Sequence, residues 1–191
     1  MPSEAWKDPW LRRLVRRSLT VPLYVGLCAL SLVLLPVLLP LAALADLLRG
    51  GPWVFFRCVL LFQWYLLCEV GGLLAAFAIV LTTRDREREI DRFFRLQCGW
   101  LGALFRGGAF CFSFRVEVEG REALDGGPLL VFMRHASTAD VVLPNVFVSQ
   151  PTGIVLRYVL KRELLWDPCL DVAGHRLVNC FVRRGSGAPE R

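Results

Sequence analysis

The chain is poor in histidine and in paired cysteines. Two histidines occur in 191 residues, and the seven cysteines, at positions 28, 58, 68, 98, 111, 169 and 180, contain no C-x-x-C pair. A disulfide framework or a structural zinc site needs a tighter pattern, so the cysteines read as buried small hydrophobes in a reducing compartment. A zinc hydrolase built from His135, His175, Asp140 and the cysteines lacks any usual ligand spacing, and no metal is expected. Internal repeats are absent, and the loose GSGAPER at the C-terminus is the one low-complexity tract. Charge is scarce over a long stretch: residues 19–81 hold only Asp46, Arg49, Arg57 and Glu69.

That scarcity sets the broad class. The chain is 55% hydrophobic, above the roughly 45–50% usual for soluble domains. Residues 19–48 carry no charge before Asp46, and a helix needs only about 20 apolar residues to span a bilayer. The excess length, with Pro22, Pro36 and Pro40, predicts tilt, a kink or a break. A second apolar run, 53–81, follows the turn signal RGGP at 49–52. Glu69 sits inside that run and needs a partner or a protein-facing position. Together the two runs predict a membrane-embedded helical hairpin over 19–81, crossing the bilayer or dipping into one leaflet. A secretory signal ending at Ala43-Leu44-Ala45 fits poorly, because the apolar stretch far exceeds the roughly 7–15 residues of such a core.

The net charge of +6 is concentrated around these runs, with Lys7, Arg12, Arg13, Arg16 and Arg17 in the basic segment 1–18. Anionic lipid explains that placement more directly than nucleic acid does. The positive-inside bias puts the N-terminus, and with it everything after a returning hairpin, on the cytoplasmic side.

The segment 82–108 is predicted to be an amphipathic helix and linker, with a helix over 82–105. Ile90, Phe93, Phe94, Leu101, Leu104 and Phe105 recur near the helical period, and Asp85–Arg88, Glu89–Arg92 and Asp91–Arg95 are spaced to pair. From 109 to 191 the pattern changes. Alternation over 110–120 and the apolar runs 128–133, 153–160 and 176–182 read as strands, with a helix over 137–150 that holds Pro144 in its first turns or is kinked by it. Strands alternating with helical stretches predict an α/β domain after the membrane hairpin.

Within that domain, residues 134–140 read RHASTAD. One account is structural: Ser137 and Asp140 make a capping-box spacing at a helix start, and His135 is a polar loop residue. The other is chemical. A histidine at the C-terminal end of a strand lies at the rim of an α/β sheet, where ligands bind. An aspartate one turn into the next helix can then fix its tautomer, leaving the other ring nitrogen to take a proton from a hydroxyl. No serine or cysteine has a matching partner, so the nucleophile in this account is the substrate's own hydroxyl.

The pattern His135-Ala136-Ser137-Thr138-Ala139-Asp140 resembles the H-x-S-x-x-D signature of the lysophospholipid acyltransferases, including the 1-acylglycerol-3-phosphate acyltransferases. LKREL (160–164) with Asp167-Pro168 resembles the family's K-x-E-L … P segment, and FVRR (181–184) after Gly174 resembles its second block. The likeness covers about residues 110–187. It implies transfer of a fatty acyl group from acyl-CoA or an acyl-carrier protein to a lysophospholipid hydroxyl, without a further cofactor. His135 and Asp140 would be catalytic, with Arg184, Arg183 and Lys161 binding the acceptor phosphate or thioester groups. Arg134 stands where the family commonly has asparagine, and Arg183 where it has aspartate. The family's Glu-Gly-Thr-Arg block does not occur, so the chain reads as the N-terminal part of such a domain. A non-catalytic membrane protein retaining part of the fold, and an acyltransferase for another lysolipid, are the competing expectations.

Overall fold

The computed structural model describes residues 8–124, 128–133, 138–177 and 179–182. Three long helices come first: α1 (Trp10–Arg49), α2 (Val54–Thr82) and α3 (Arg86–Phe112). The apolar runs account for the first two. A single helix passes through Pro22, Pro36 and Pro40, so of the expected tilt, kink or break, a break is not seen. Both helices are long and apolar enough to cross a membrane. Only 11% of the most apolar window of α1 and 22% of that of α2 is buried, so these side chains face outward, unlike those of a core helix in a soluble protein.

The RGGP turn is closed by backbone geometry. Gly50 adopts φ +62°, Gly50 N–H donates to Leu47 O at 3.1 Å and Gly51 N–H to Asp46 O at 3.2 Å. This is the Schellman arrangement, which satisfies carbonyls at a helix C-terminus and favours glycine at the left-handed position. Asp46 then serves the next helix: its carboxylate oxygens accept from Phe55 N at 3.2 Å and Phe56 N at 2.9 Å. A carboxylate at the start of α2 satisfies two amides that have no partner inside the helix and suits the dipole there. The Arg49 guanidinium lies 4.9 Å from the Phe55 ring centroid.

The chain divides into two compact units. One comprises Met1–Gly26, Glu69–Leu96 and Arg157–Arg191, the other Leu27–Cys68 and Gln97–Leu156. In the second, Trp64 donates from Nε1 to Ala103 O at 2.9 Å, and Phe105 packs edge-on against Phe114 and Phe147 with centroids 5.7 and 5.4 Å apart. Gln150 Nε2 donates to Cys98 O at 2.9 Å and Asn145 Nδ2 to Cys98 Sγ at 3.5 Å. Burial pushes the Cys98 thiol pKa up, and the Asn145 hydrogen bond opposes that shift. Gly107 sits flat against the Trp64 indole, and a Cβ there would overlap the ring. Gly107→Ala is therefore expected to destabilise this unit by about 1–3 kcal/mol, the usual range for overpacking. Unfolding followed in detergent micelles checks it, and an unchanged midpoint would contradict the contact.

In the first unit Phe93 is fully buried and packs with Ala76, Ala173 and Leu177. Glu69 is also fully buried, and its Oε2 accepts from Cys169 N at 3.3 Å, which supplies the partner its place in an apolar run requires. Strands β1 (Val159–Lys161) and β2 (Cys180–Val182) pair in parallel, Val159 opposite Cys180 and Lys161 opposite Val182. They are joined by a 3₁₀ turn, Arg162–Trp166, and the two-turn helix α5 (Pro168–Gly174). Asp167 caps α5 through Oδ1, accepting from Leu170 N at 2.8 Å, with Pro168 in the first helical position, where its missing N–H costs nothing. The segment that resembles the family's K-x-E-L … P block thus has a local structural job.

Several sequence expectations need correction. The fold is mostly helical, and its sheet, among the described residues, has two short strands. The predicted strand 110–120 is not one: α3 continues to Phe112, Ser113 takes φ 55°, and 114–120 pair with nothing regular. Residues 128–133 form no strand either, and Leu130 and Phe132 are exposed. The strands expected over 153–160 and 176–182 shrink to Val159–Lys161 and Cys180–Val182. The helix expected over 137–150 is present, helical throughout from Thr138 to Thr152, but irregular: a 3₁₀ turn (Thr138–Val142), a π turn (Asn145–Ser149) with Pro144 just before it, and the short α4 (Gln150–Thr152). In α3, Asp85–Arg88 and Asp91–Arg95 pair as spaced. Arg92 instead donates to Thr82 and Thr83, and Glu89 pairs with Arg176. All seven cysteines are free thiols, and Cys58 and Cys180 are exposed rather than buried.

Candidate functional site

The best-organised polar cluster lies where α5 meets the first turns of α1. Its centre is Asp171, which is fully buried. Arg16 Nη2 donates to Asp171 Oδ1 at 2.6 Å and to Asp8 Oδ2 at 2.7 Å. Arg17 donates from Nε to Asp171 Oδ2 at 2.8 Å and from Nη2 to Asp171 O at 3.1 Å. Two carboxylates therefore face two guanidiniums in a nearly enclosed space. Burial alone would raise the Asp171 pKa, but hydrogen bonds from His175, Arg17 and Arg16 outweigh it and hold the carboxyl well below the usual range.

His175 completes the cluster from the end of α5. Its Nδ1 lies 2.8 Å from Asp171 O and 3.0 Å from Asp171 Oδ1, and its Nε2 lies 3.3 Å from Asp8 Oδ2. The carbonyl contact assigns a proton to Nδ1, since only a donor suits that oxygen. The ring stacks on Phe181, centroids 5.3 Å apart. Gly174 makes this possible, because a Cβ there would stand 3.0 Å from Phe181 Cζ. With both nitrogens occupied and 11% of its side chain exposed, His175 bolts α5 to the start of α1 rather than presenting a free base.

Asp8, Asp171 and His175 also bring three potential metal-ligand atoms within 4.8 Å of one another. The surroundings do not suit a cation. Arg16 and Arg17 already occupy both Asp171 oxygens and Asp8 Oδ2, and a divalent ion would have to displace guanidiniums that balance the same charges. The arrangement is an ion-pair network whose charges the guanidiniums already balance, with Asp8 Oδ1 and Arg16 Nε left without a hydrogen-bond partner.

The residues singled out from the sequence are distributed differently. Asp140 lies half-buried in the 3₁₀ turn Thr138–Val142. Lys161 is exposed at the C-terminal end of β1. His135, Arg183 and Arg184 lie outside the described residues. Sequence reading took Arg16 and Arg17 only as a topological charge bias and missed Asp8 and Asp171. The i, i+4 spacing of Asp171 and His175 was the one available signal for the cluster.

No protein-family model, no curated protein and no solved structure matches this chain.

Proposed function

We propose that the chain is a membrane-bound O-acyltransferase, moving a fatty acyl group from acyl-CoA or an acyl-carrier protein to the hydroxyl of a lysophospholipid. Lysophosphatidic acid, giving phosphatidic acid in phospholipid biosynthesis, is the first acceptor to try. The observation that carries this reading is His135-x4-Asp140 followed in order by the Lys161 and Arg184 segments, on a chain with two membrane-length apolar helices.

In this reading His135 takes the proton of the acceptor hydroxyl while Asp140 orients the ring and stabilises its charged form. The acceptor oxygen attacks the thioester carbonyl, the carbon–sulfur bond breaks, and the departing thiolate takes the proton from the imidazolium. Arg184 and Arg183 hold the acceptor phosphate, for which a guanidinium fork is well shaped. Lys161 assists with phosphate or thioester oxygens. Supporting this division, β1 and β2 run parallel with Lys161 opposite Val182, and Arg183 and Arg184 are the next residues of the sequence. Lys161 thus sits at the C-terminal end of a paired strand, the place where α/β sheets bind ligands. The reacting segment lies on the cytoplasmic face.

A sheet of two short strands among the described residues favours, as the second reading, a non-catalytic membrane protein that keeps part of the fold. One assay separates them. Membranes carrying the chain, from a strain lacking its own enzyme, are given labelled acyl-CoA and a panel of lysolipids. Label appearing in one diacyl product above empty-membrane background is the expected result. No transfer to any acceptor would overturn the enzymatic reading.

A further inference from the structure

A cavity of about 400 Å³ opens in the first unit between the N-terminal turns of α1 and the 3₁₀ turn Arg162–Trp166, within the roughly 300–1,000 Å³ typical of small-ligand sites. Its lining is two-sided. Leu11, Val15 and Leu19 line it, and their i, i+4, i+8 spacing puts them in one row along α1. Each is more than half exposed, and Trp166 across the cavity is 59% exposed. Beside that row run Arg12 and Arg16, with Arg162 and Glu163 opposite.

The apolar row has a direction. It begins in the basic segment and ends at Leu19, where the long uncharged run starts, a rise of about 12 Å along the helix. That is the depth over which a bilayer passes from headgroups to hydrocarbon, the zone where indole rings and arginines settle. Arg12 is exposed and has no partner among the described residues. Two other residues of the lining keep buried polar atoms unsatisfied: Nε–H of Arg16, a donor, and Oδ1 of Asp8, an acceptor. A ligand bringing only a phosphate answers the arginine and leaves Asp8 and Glu163 facing another anion. A headgroup that carries an amine or hydroxyl donor beside its phosphate answers both signs.

We propose that this cavity holds the headgroup of a bilayer glycerophospholipid bearing a hydrogen-bond donor next to its phosphate, with the acyl chains lying along Val15 and Leu19. The phosphate sits against Arg12 and Arg16, and the donor against Asp8 and Glu163. The cavity admits a headgroup but not the chains, which is why the uncovered leucine and valine row matters. This lipid is a resident of the fold, and its binding is independent of any acyl transfer.

The full chain, purified in detergent, is equilibrated with phosphatidylethanolamine, phosphatidylglycerol or phosphatidylcholine of identical acyl chains, and bound lipid is counted by native mass spectrometry. The ethanolamine and glycerol lipids are expected to be retained at least tenfold better than the choline lipid, whose quaternary nitrogen has no N–H. Arg12→Gln is expected to lower retention about fivefold, the usual worth of one arginine at a lipid surface, while Arg121→Gln, at another exposed arginine, leaves it unchanged. Trp166→Ala, also at an exposed position, is the second variant and should lower retention too. Equal retention of the choline lipid, indifference to Arg12→Gln and Trp166→Ala, or displacement by inorganic phosphate alone would each overturn the proposal.

Discussion

Asp171→Asn is expected to weaken the attachment of α5 to α1 by about 3–5 kcal/mol, the usual consequence of removing one partner from a buried ion pair. The substitution keeps the side chain's volume, so packing is not the cause. It removes the charge that answers Arg16 and Arg17, whose side chains are 10% and 31% exposed. The exposed Asp85–Arg88 pair, at 57% and 82%, gives the contrast, and breaking it should cost at most about 1 kcal/mol. Unfolding of both variants in micelles tests the difference, and similar midpoints would sink it.

Acid supplies a second arm. The folded Asp171 carboxyl titrates below its ordinary value, so its contribution is fully present above the usual carboxylate range and is lost as pH falls through the depressed folded value. The gap between the natural chain and Asp171→Asn should therefore persist at mildly acid pH and close only in strong acid.

His135→Ala is expected to lower acyl transfer about 10²–10⁴-fold, the range for loss of a general base, while the protein still inserts in membranes. Unchanged turnover would remove the mechanism. The chain's other histidine is the internal control. His175 is held between Asp8 and Asp171 and stacked on Phe181, so His175→Ala should lower the unfolding midpoint and not the turnover of protein that remains folded. A deficit that follows stability in both variants would mean that His135 is a structural residue as well.

The two long apolar helices and the turn between them were legible because their causes are local. Two apolar runs, RGGP between them and a carboxylate just before the turn are all properties of neighbouring residues. The strands failed for the opposite reason. Alternation at Phe110, Phe112 and Phe114 is equally compatible with a helix end, and packing of Phe114 and Phe147 on Phe105 decides the matter. A strand also needs a neighbour to pair with, which no pattern within 110–120 or 128–133 reports. The ion-pair cluster was the least visible, since Arg16 and Asp171 stand 155 positions apart. Lys161 was readable as a strand-end lysine, but its place opposite Val182 depends on a pairing that only the fold supplies.

The Asp46 cap has a consequence for how the chain reaches a bilayer. Any deep insertion of the hairpin must carry its tip past the headgroups first, and each bare charge there adds a dehydration barrier of several kcal/mol. Here the carboxylate of the tip is already withdrawn: Asp46 is 3% exposed and turned onto the Phe55 and Phe56 amides, which leaves the exposed Arg49, its guanidinium over the Phe55 face, as the charge the tip presents.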